Sequence, residues 1–124
     1  MTSTVTSTLA FRAAESTELE DKPLGPPSAE PLTGDIMTRA FVPFTSADGK
    51  VLCGTWECEP GASRWEFLER GEFIHVLSGR MTVAVDGGEP VELTAGSSAV
   101  FPLGWTGTWT VHETLRKVFT VFRP

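Results

Sequence analysis

The chain has 124 residues, with 10 basic against 16 acidic side chains for a net charge of −6, and 40% of its residues are hydrophobic. That length and apolar share suit one globular domain able to bury a core of its own. The charge has the wrong sign for neutralising a phosphate backbone or an anionic bilayer surface, so neither nucleic acid nor membrane is an expected partner.

The opening MTSTVTSTLAFRAAE has neither a basic n-region nor a continuous apolar h-region. No later run approaches the roughly twenty apolar residues needed to span a bilayer, and the expected location is cytoplasmic. From Thr2 to Pro31 the chain is rich in Ser, Thr, Glu and Pro, with Pro23, Pro26, Pro27 and Pro31 closely spaced and no sustained apolar period. Such a segment makes little core. Residues 1–33 are therefore expected to form an extended arm, either free or laid across the barrel or a partner subunit.

From Ile36 onward, β-rich runs alternate with turn signals at about eight to twelve residues, the pattern of a sandwich or barrel. Strands are predicted at 38–42, 50–59, 63–67, 72–78, 80–85, 89–93, 98–101, 108–111 and 115–122. Turns are marked by Asp48-Gly49, Pro60-Gly61, Ser78-Gly79, Gly87-Gly88, Ala95-Gly96 and Leu103-Gly104. Residues 34–124 thus read as one all-β domain. The two cysteines, Cys53 and Cys58, would point to opposite faces of one extended strand, so both are expected to be free thiols in a reducing compartment. Cys58 has no histidine beside it in sequence and reads as a buried small hydrophobe rather than a nucleophile.

Several phrases in order now narrow the fold. Glu72-x6-Gly79 matches the end of the first cupin signature, G-x5-H-x-H-x3/4-E-x6-G, and Gly96-x5-Pro102-x-Gly104 matches the start of the second, G-x5-P-x-G-x2-H-x3-N. With GTWECEPG, FPLGWTGTW and VHETLRKVF, the segment from Cys53 to Val121 resembles the cupin superfamily, and within it the single-domain cupins grouped with (S)-ureidoglycine aminohydrolase. The resemblance implies a double-stranded β-helix, or jelly-roll β-barrel, commonly paired as a homodimer. It also implies a metal such as Mn or Zn held by three histidines and a glutamate, and hydrolysis of a ureido C–N bond.

The metal positions depart from that pattern. Counting back from Glu72, the paired histidines fall on Trp65 and Phe67, or with the shorter spacer on Glu66 and Leu68; counting forward from Gly104, the last histidine falls on Gly107. Only Glu72 remains, and no metal cofactor is expected unless Glu72 recruits His112 or Glu66. His75 lies three residues from Glu72 and faces the other way on a regular strand.

Two readings of the aromatic residues stay open. Trp65 and Phe67 either fill the volume vacated by metal and histidines, or Trp56, Trp65, Phe67, Trp105 and Trp109 line a pocket for a small ligand with Glu72 as its anchor. A carboxylate pointing into an apolar barrel must be paired, hydrated or protonated. Glu72 is accordingly either a catalytic acid/base and ligand anchor, or a carboxylate paired with Arg64, Arg80 or Lys117, or solvated near a mouth. Arg116 and Lys117 are otherwise expected at the ends or edges of a strand with one wet face. The expected function is binding of a small nitrogen-containing or carboxylated metabolite. The alternatives are a metal-dependent aminohydrolase and a structural or regulatory dimer.

Overall fold

Residues 7–124 are described by the computed structural model, so residues 1–6 of the expected arm lie outside it. Nine strands form one curled antiparallel sheet: β1 (Glu20–Pro23), β2 (Ala29–Pro31), β3 (Met37–Thr45), β4 (Val51–Cys58), β5 (Gly61–Glu66), β6 (Gly71–Val85), β7 (Val91–Thr94), β8 (Ser98–Phe101) and β9 (Thr106–Phe122). Among the described residues the one helical element is a 3-10 turn at Ser16–Glu18, and no helix is long and apolar enough to cross a membrane.

The two longest strands close the barrel. β9 pairs with β6 along its length, while on its other side residues 106–111 pair with β5 and residues 115–122 with β4. One layer consequently runs β1-β3-β4-β9-β6-β8 and the other β2-β5-β9-β6-β7, with β6 and β9 bent across both. This is the expected jelly roll, in which strands that switch layers leave few open edges.

The sequence predicts two strands where β6 is one, and again where β9 is one. The reason is visible at Gly79, which reads as a turn but is a bulge in a continuous strand. Its φ is +85°, and a Cβ there would stand 2.1 Å from the Thr114 carbonyl oxygen. The inserted residue also shifts the inward parity, from Glu72, Ile74 and Val76 before it to Met81 and Val83 after it. The bulge therefore bends β6 from one layer into the other without turning its apolar face to water.

The arm is not free. β1 extends the β3 edge of one layer, β2 extends the β5 edge of the other, and residues 24–28 cross between them. The Leu24 amide donates to the Ile36 carbonyl at 2.9 Å, and the Glu66 amide donates to the Ser28 carbonyl at 2.8 Å, continuing both ladders. Of the three placements open to the arm, the chain takes the one across its own barrel. Proline is tolerated there because edge strands leave one set of amides unpaired.

A second clamp lies on the outer face of β4. Glu57 accepts hydrogen bonds from Ser16 Oγ at 2.5 Å, Arg116 at 2.6 Å and Arg39 at 3.2 Å, while the Ala14 amide donates to Thr55 Oγ1 at 3.0 Å. Burial raises the carboxyl's pKa, but the donors from Ser16, Arg39 and Arg116 outweigh it and hold Glu57 below its ordinary value of 4.5. With a depressed folded-state pKa, the clamp's contribution is complete above that ordinary value and is lost as pH falls through the folded-state value. Acidification is thus expected to free the arm before the barrel opens, read as peptic cleavage near Phe11 and Leu19 in the acidified sample at a pH where the tryptophan fluorescence is still that of the folded barrel. Glu57→Ala is expected to release the arm at neutral pH at a cost of about 2 kcal/mol, measured by urea unfolding.

Candidate functional site

The barrel interior divides into a filled half and an open half. In the filled half, Trp65 stacks on Trp109 with ring centroids 3.9 Å apart, Phe67 stacks on Trp65 and on Phe101 at 5.5 Å each, and Trp105 meets Phe101 edge-on at 5.0 Å. Phe67, Trp109 and Phe101 are essentially inaccessible to solvent. Offset stacks and edge-on pairs of this kind are the arrangements that aromatic quadrupoles favour. The filler reading therefore describes Phe67, Trp105 and Trp109, which do not line the open half.

At the boundary between the halves sits a buried ion pair. Glu72 on β6 and Lys117 on β9 are 3% and 2% exposed, and the Lys117 Nζ donates to a Glu72 carboxylate oxygen at 2.6 Å. The ammonium also lies over the rings of Trp56, Trp109 and Phe119, at 4.3, 4.7 and 5.9 Å from their centroids. Burial lowers the Lys117 pKa below its ordinary value of 10.5, while the Glu72 charge and hydrogen bond pull it back up. A charge taken out of water needs such a set of partners, and here a carboxylate and aromatic faces supply it.

Lys117 is the main correction to the sequence reading, which set it at a strand end or edge. In β9 the inward positions are odd-numbered, with Trp109, Val111, Leu115 and Val121 all buried, and Lys117 falls on that face. Among the partners open to Glu72, the structure selects Lys117. Arg64 instead forks onto Asp86 at 2.6 and 2.7 Å, and Arg80 donates to Glu92 at 2.9 Å.

The open half is a cavity of about 230 Å³ lined by Trp56, Trp65, Glu72, Lys117, Phe119 and Leu52, with Thr38, Lys22 and Arg70 among the residues around it. A smaller space of about 140 Å³ beneath the arm crossing shares Lys22, Thr38, Trp56, Trp65 and Arg70. Of the residues expected to bind a ligand, the structure brings Trp56, Trp65 and Glu72 to this cavity. Two others were not singled out from sequence. Arg70 comes from the β5–β6 loop, and its buried Nε has no hydrogen-bond partner among the described residues. Lys22 comes from the arm, and neither it nor Arg70 enters a salt bridge among the described residues. No sequence signal marks Lys22, whereas Arg70 lies two residues before Glu72 and faces the same way on an extended chain.

The donor set does not fit a transition metal. Trp65 and Phe67 at the first-signature positions point into the core and carry no metal-binding atom, and the Glu72 carboxylate already holds Lys117. At the second-signature position the space itself is closed. A Cβ on Gly107 would stand 2.3 Å from the Ala84 carbonyl oxygen and 2.6 Å from the Trp105 ring. Neither proposed rescuer converges on Glu72. Glu66 is exposed beside Arg64, and His112 is exposed with its Nε2 2.7 Å from Thr82 Oγ1. His75 likewise faces away, with its Nδ1 2.8 Å from Ser98 Oγ. Cys58 is buried and desolvation pushes its thiol up to about 12, which leaves it a packing residue.

Comparison with known proteins fits this geometry. Residues 45–119, the span from the end of β3 through the ion-pairing part of β9, match the family described as the EutQ-like cupin domain. The chain belongs to the EutQ-like cupin family. Solved cupin neighbours include the EutQ protein of Clostridium difficile, at 20% identity and TM-score 0.61, covering 71% of this chain and 69% of that one. The polyketide cyclase RemF of Streptomyces resistomycificus is 18% identical with a TM-score of 0.63, covering 93% and 82%. A DUF861-family protein of unknown function from Pseudomonas syringae pv. tomato is 18% identical with a TM-score of 0.72; 83% of this chain covers only 43% of that one. At these identities the likeness is one of fold. The chain matches none of the curated proteins.

In this cupin the Glu72–Lys117 pair has a stability signature of its own. Removing one partner leaves an uncompensated buried charge, so Lys117→Met and Glu72→Gln are each expected to cost about 3–5 kcal/mol in urea unfolding. The double variant is expected to recover most of that loss, because it removes both charges at similar volume.

Proposed function

We propose that this EutQ-like cupin binds a small carboxylated metabolite in the open half of its barrel, held by direct contact with side chains. The observation that carries the reading is Arg70, a guanidinium at the wall of a cavity whose buried Nε has no partner among the described residues. Three cationic side chains, Lys22, Arg70 and Lys117, face that cavity against one carboxylate, Glu72, in a chain whose net charge is −6. A local excess of positive charge in an acidic protein focuses field lines on the cavity and draws anions there. The planar guanidinium fork matches a carboxylate, and Trp56 and Trp65 supply apolar wall for the ligand's carbon skeleton. A volume of about 230 Å³ lies below the ~300–1,000 Å³ of drug-sized sites, which favours a metabolite of few carbons.

The narrower likeness to ureidoglycine aminohydrolase-like cupins rests on motif phrases, and Glu72 is its one retained ligand position. With that carboxylate bonded to Lys117, binding takes precedence over hydrolysis. A homodimer is part of the same reading, supported by Phe41, Phe73 and Val100, which are exposed on the outer face of the β4-containing layer.

Titrating C2–C5 carboxylates while following the tryptophan fluorescence is expected to give saturable binding. Uncharged amides of the same skeletons are expected to give none. Arg70→Met is expected to weaken carboxylate binding at least tenfold, the scale of one lost charge-assisted hydrogen bond. Equal binding of acids and amides would remove the anion from the reading.

A further inference from the structure

Lys117 has a second role that rests on the binding reading above. The ammonium is tethered beside the one carboxylate that the cupin metal motif keeps, and it lines the same cavity as Arg70. Where a metal-bearing cupin would present a positive ion to a ligand oxygen, this chain presents a primary ammonium in a fixed position. We propose that Lys117 serves as a built-in cation in place of the metal ion, and that with Arg70 it selects acids bearing an oxygen on the carbon next to the carboxylate, the 2-oxo and 2-hydroxy acids.

Three observations carry this assignment. First, the metal positions are closed to their usual occupants: Trp65 and Phe67 are packed in the aromatic stack, and a side chain on Gly107 would run into the Ala84 carbonyl and the Trp105 ring. Second, Lys117 is seated among groups that favour its charged form against the burial that disfavours it. Glu72 accepts one of its protons at 2.6 Å, and the faces of Trp56 and Trp109 lie 4.3 and 4.7 Å away. An ammonium has three N–H donors, and the structure gives Nζ one acceptor among the described residues. Its other donors meet no oxygen or nitrogen acceptor among the described residues, and Lys117 lines the cavity that a ligand oxygen would enter. Third, the donors on the two cations differ in kind. Arg70 offers a planar fork suited to a carboxylate, while Lys117 offers a compact point charge suited to a single carbonyl or hydroxyl oxygen.

A cavity with both donors binds an acid with two adjacent oxygen functions better than one with the carboxylate alone. A ligand lacking the second oxygen leaves a desolvated ammonium without its extra acceptor, and that asymmetry is the source of discrimination. No metal ion enters this account, since the cation is covalently part of β9.

The test compares pyruvate and lactate with propionate, which has the same three carbons and no C2 oxygen, by calorimetry on chelator-treated protein. Pyruvate and lactate are expected to bind at least tenfold more tightly than propionate. In Lys117→Met that preference is expected to vanish, so that pyruvate, lactate and propionate bind alike whatever the change in propionate affinity itself, whereas Arg70→Met weakens all three acids by a similar factor and keeps the preference. Should Lys117→Met fail to fold, the double variant Glu72→Gln/Lys117→Met leaves no unpaired buried charge and carries the same comparison. The proposal is overturned if wild-type protein binds the three acids alike, if the preference survives loss of Lys117, or if it appears only after Mn or Zn is added. In each of those cases Arg70-dependent propionate binding still upholds the carboxylate reading. Absence of binding by all three acids overturns both.

Discussion

The interior of this barrel is organised around one buried charge pair. Glu72 and Lys117 come from the two strands that run through both layers, so their bond at 2.6 Å pins β6 to β9 on the inner surface. Such a pair adds little net stability, because taking both ions out of water costs about as much as their attraction returns. Its structural effect is specificity of register. A shift of β9 by one residue would turn Lys117 to solvent and leave Glu72 alone among apolar side chains. The same shift would turn Trp109 out of its stack with Trp65. Register, core and cavity are thereby coupled through the inward face of one strand.

The division of the interior follows from that coupling. Aromatic rings occupy the half bounded by β5 and the first part of β9, with Trp65 and Phe67 at the two histidine positions of the first signature. On the other side, the rings of Trp56 and Phe119 and the aliphatic stem of Lys117 wall a space that the arm crossing borders. Long cationic side chains suit this arrangement, because they lay methylenes along apolar surface while keeping the charge at a polar tip. The arm thus contributes both a boundary, through residues 22–29, and a charge, through Lys22.

Much of the fold was legible because it is written in turns and alternation. The glycines and the period of two placed nearly every barrel strand, and the loss of metal ligands could be read position by position at Trp65, Phe67 and Gly107. What was not legible depends on contacts distant in sequence. Gly79 has the same local signature in a turn and in a bulge, and only the strand opposite, with the Thr114 carbonyl against it, distinguishes the two. Pro-rich composition showed that residues 20–31 could not make a core of their own, but not that the β3 and β5 edges would accept them as strands.

Lys117 shows the same limit at the site. Strong local rules place lysine in water, and the phrase LRKVF gives no reason to break them. The exception arises because Glu72 lies inward across the β6–β9 pairing and three aromatic faces surround the space between. A buried carboxylate was itself the available signal, since it demands a partner and the chain has few cations on inward-facing positions. Parity along β9, counted from Trp109 through Val111 and Leu115, puts Lys117 on that face. A violated local rule opposite another violated local rule marks a pair that stabilises both, and here that pair lines the open cavity of the barrel.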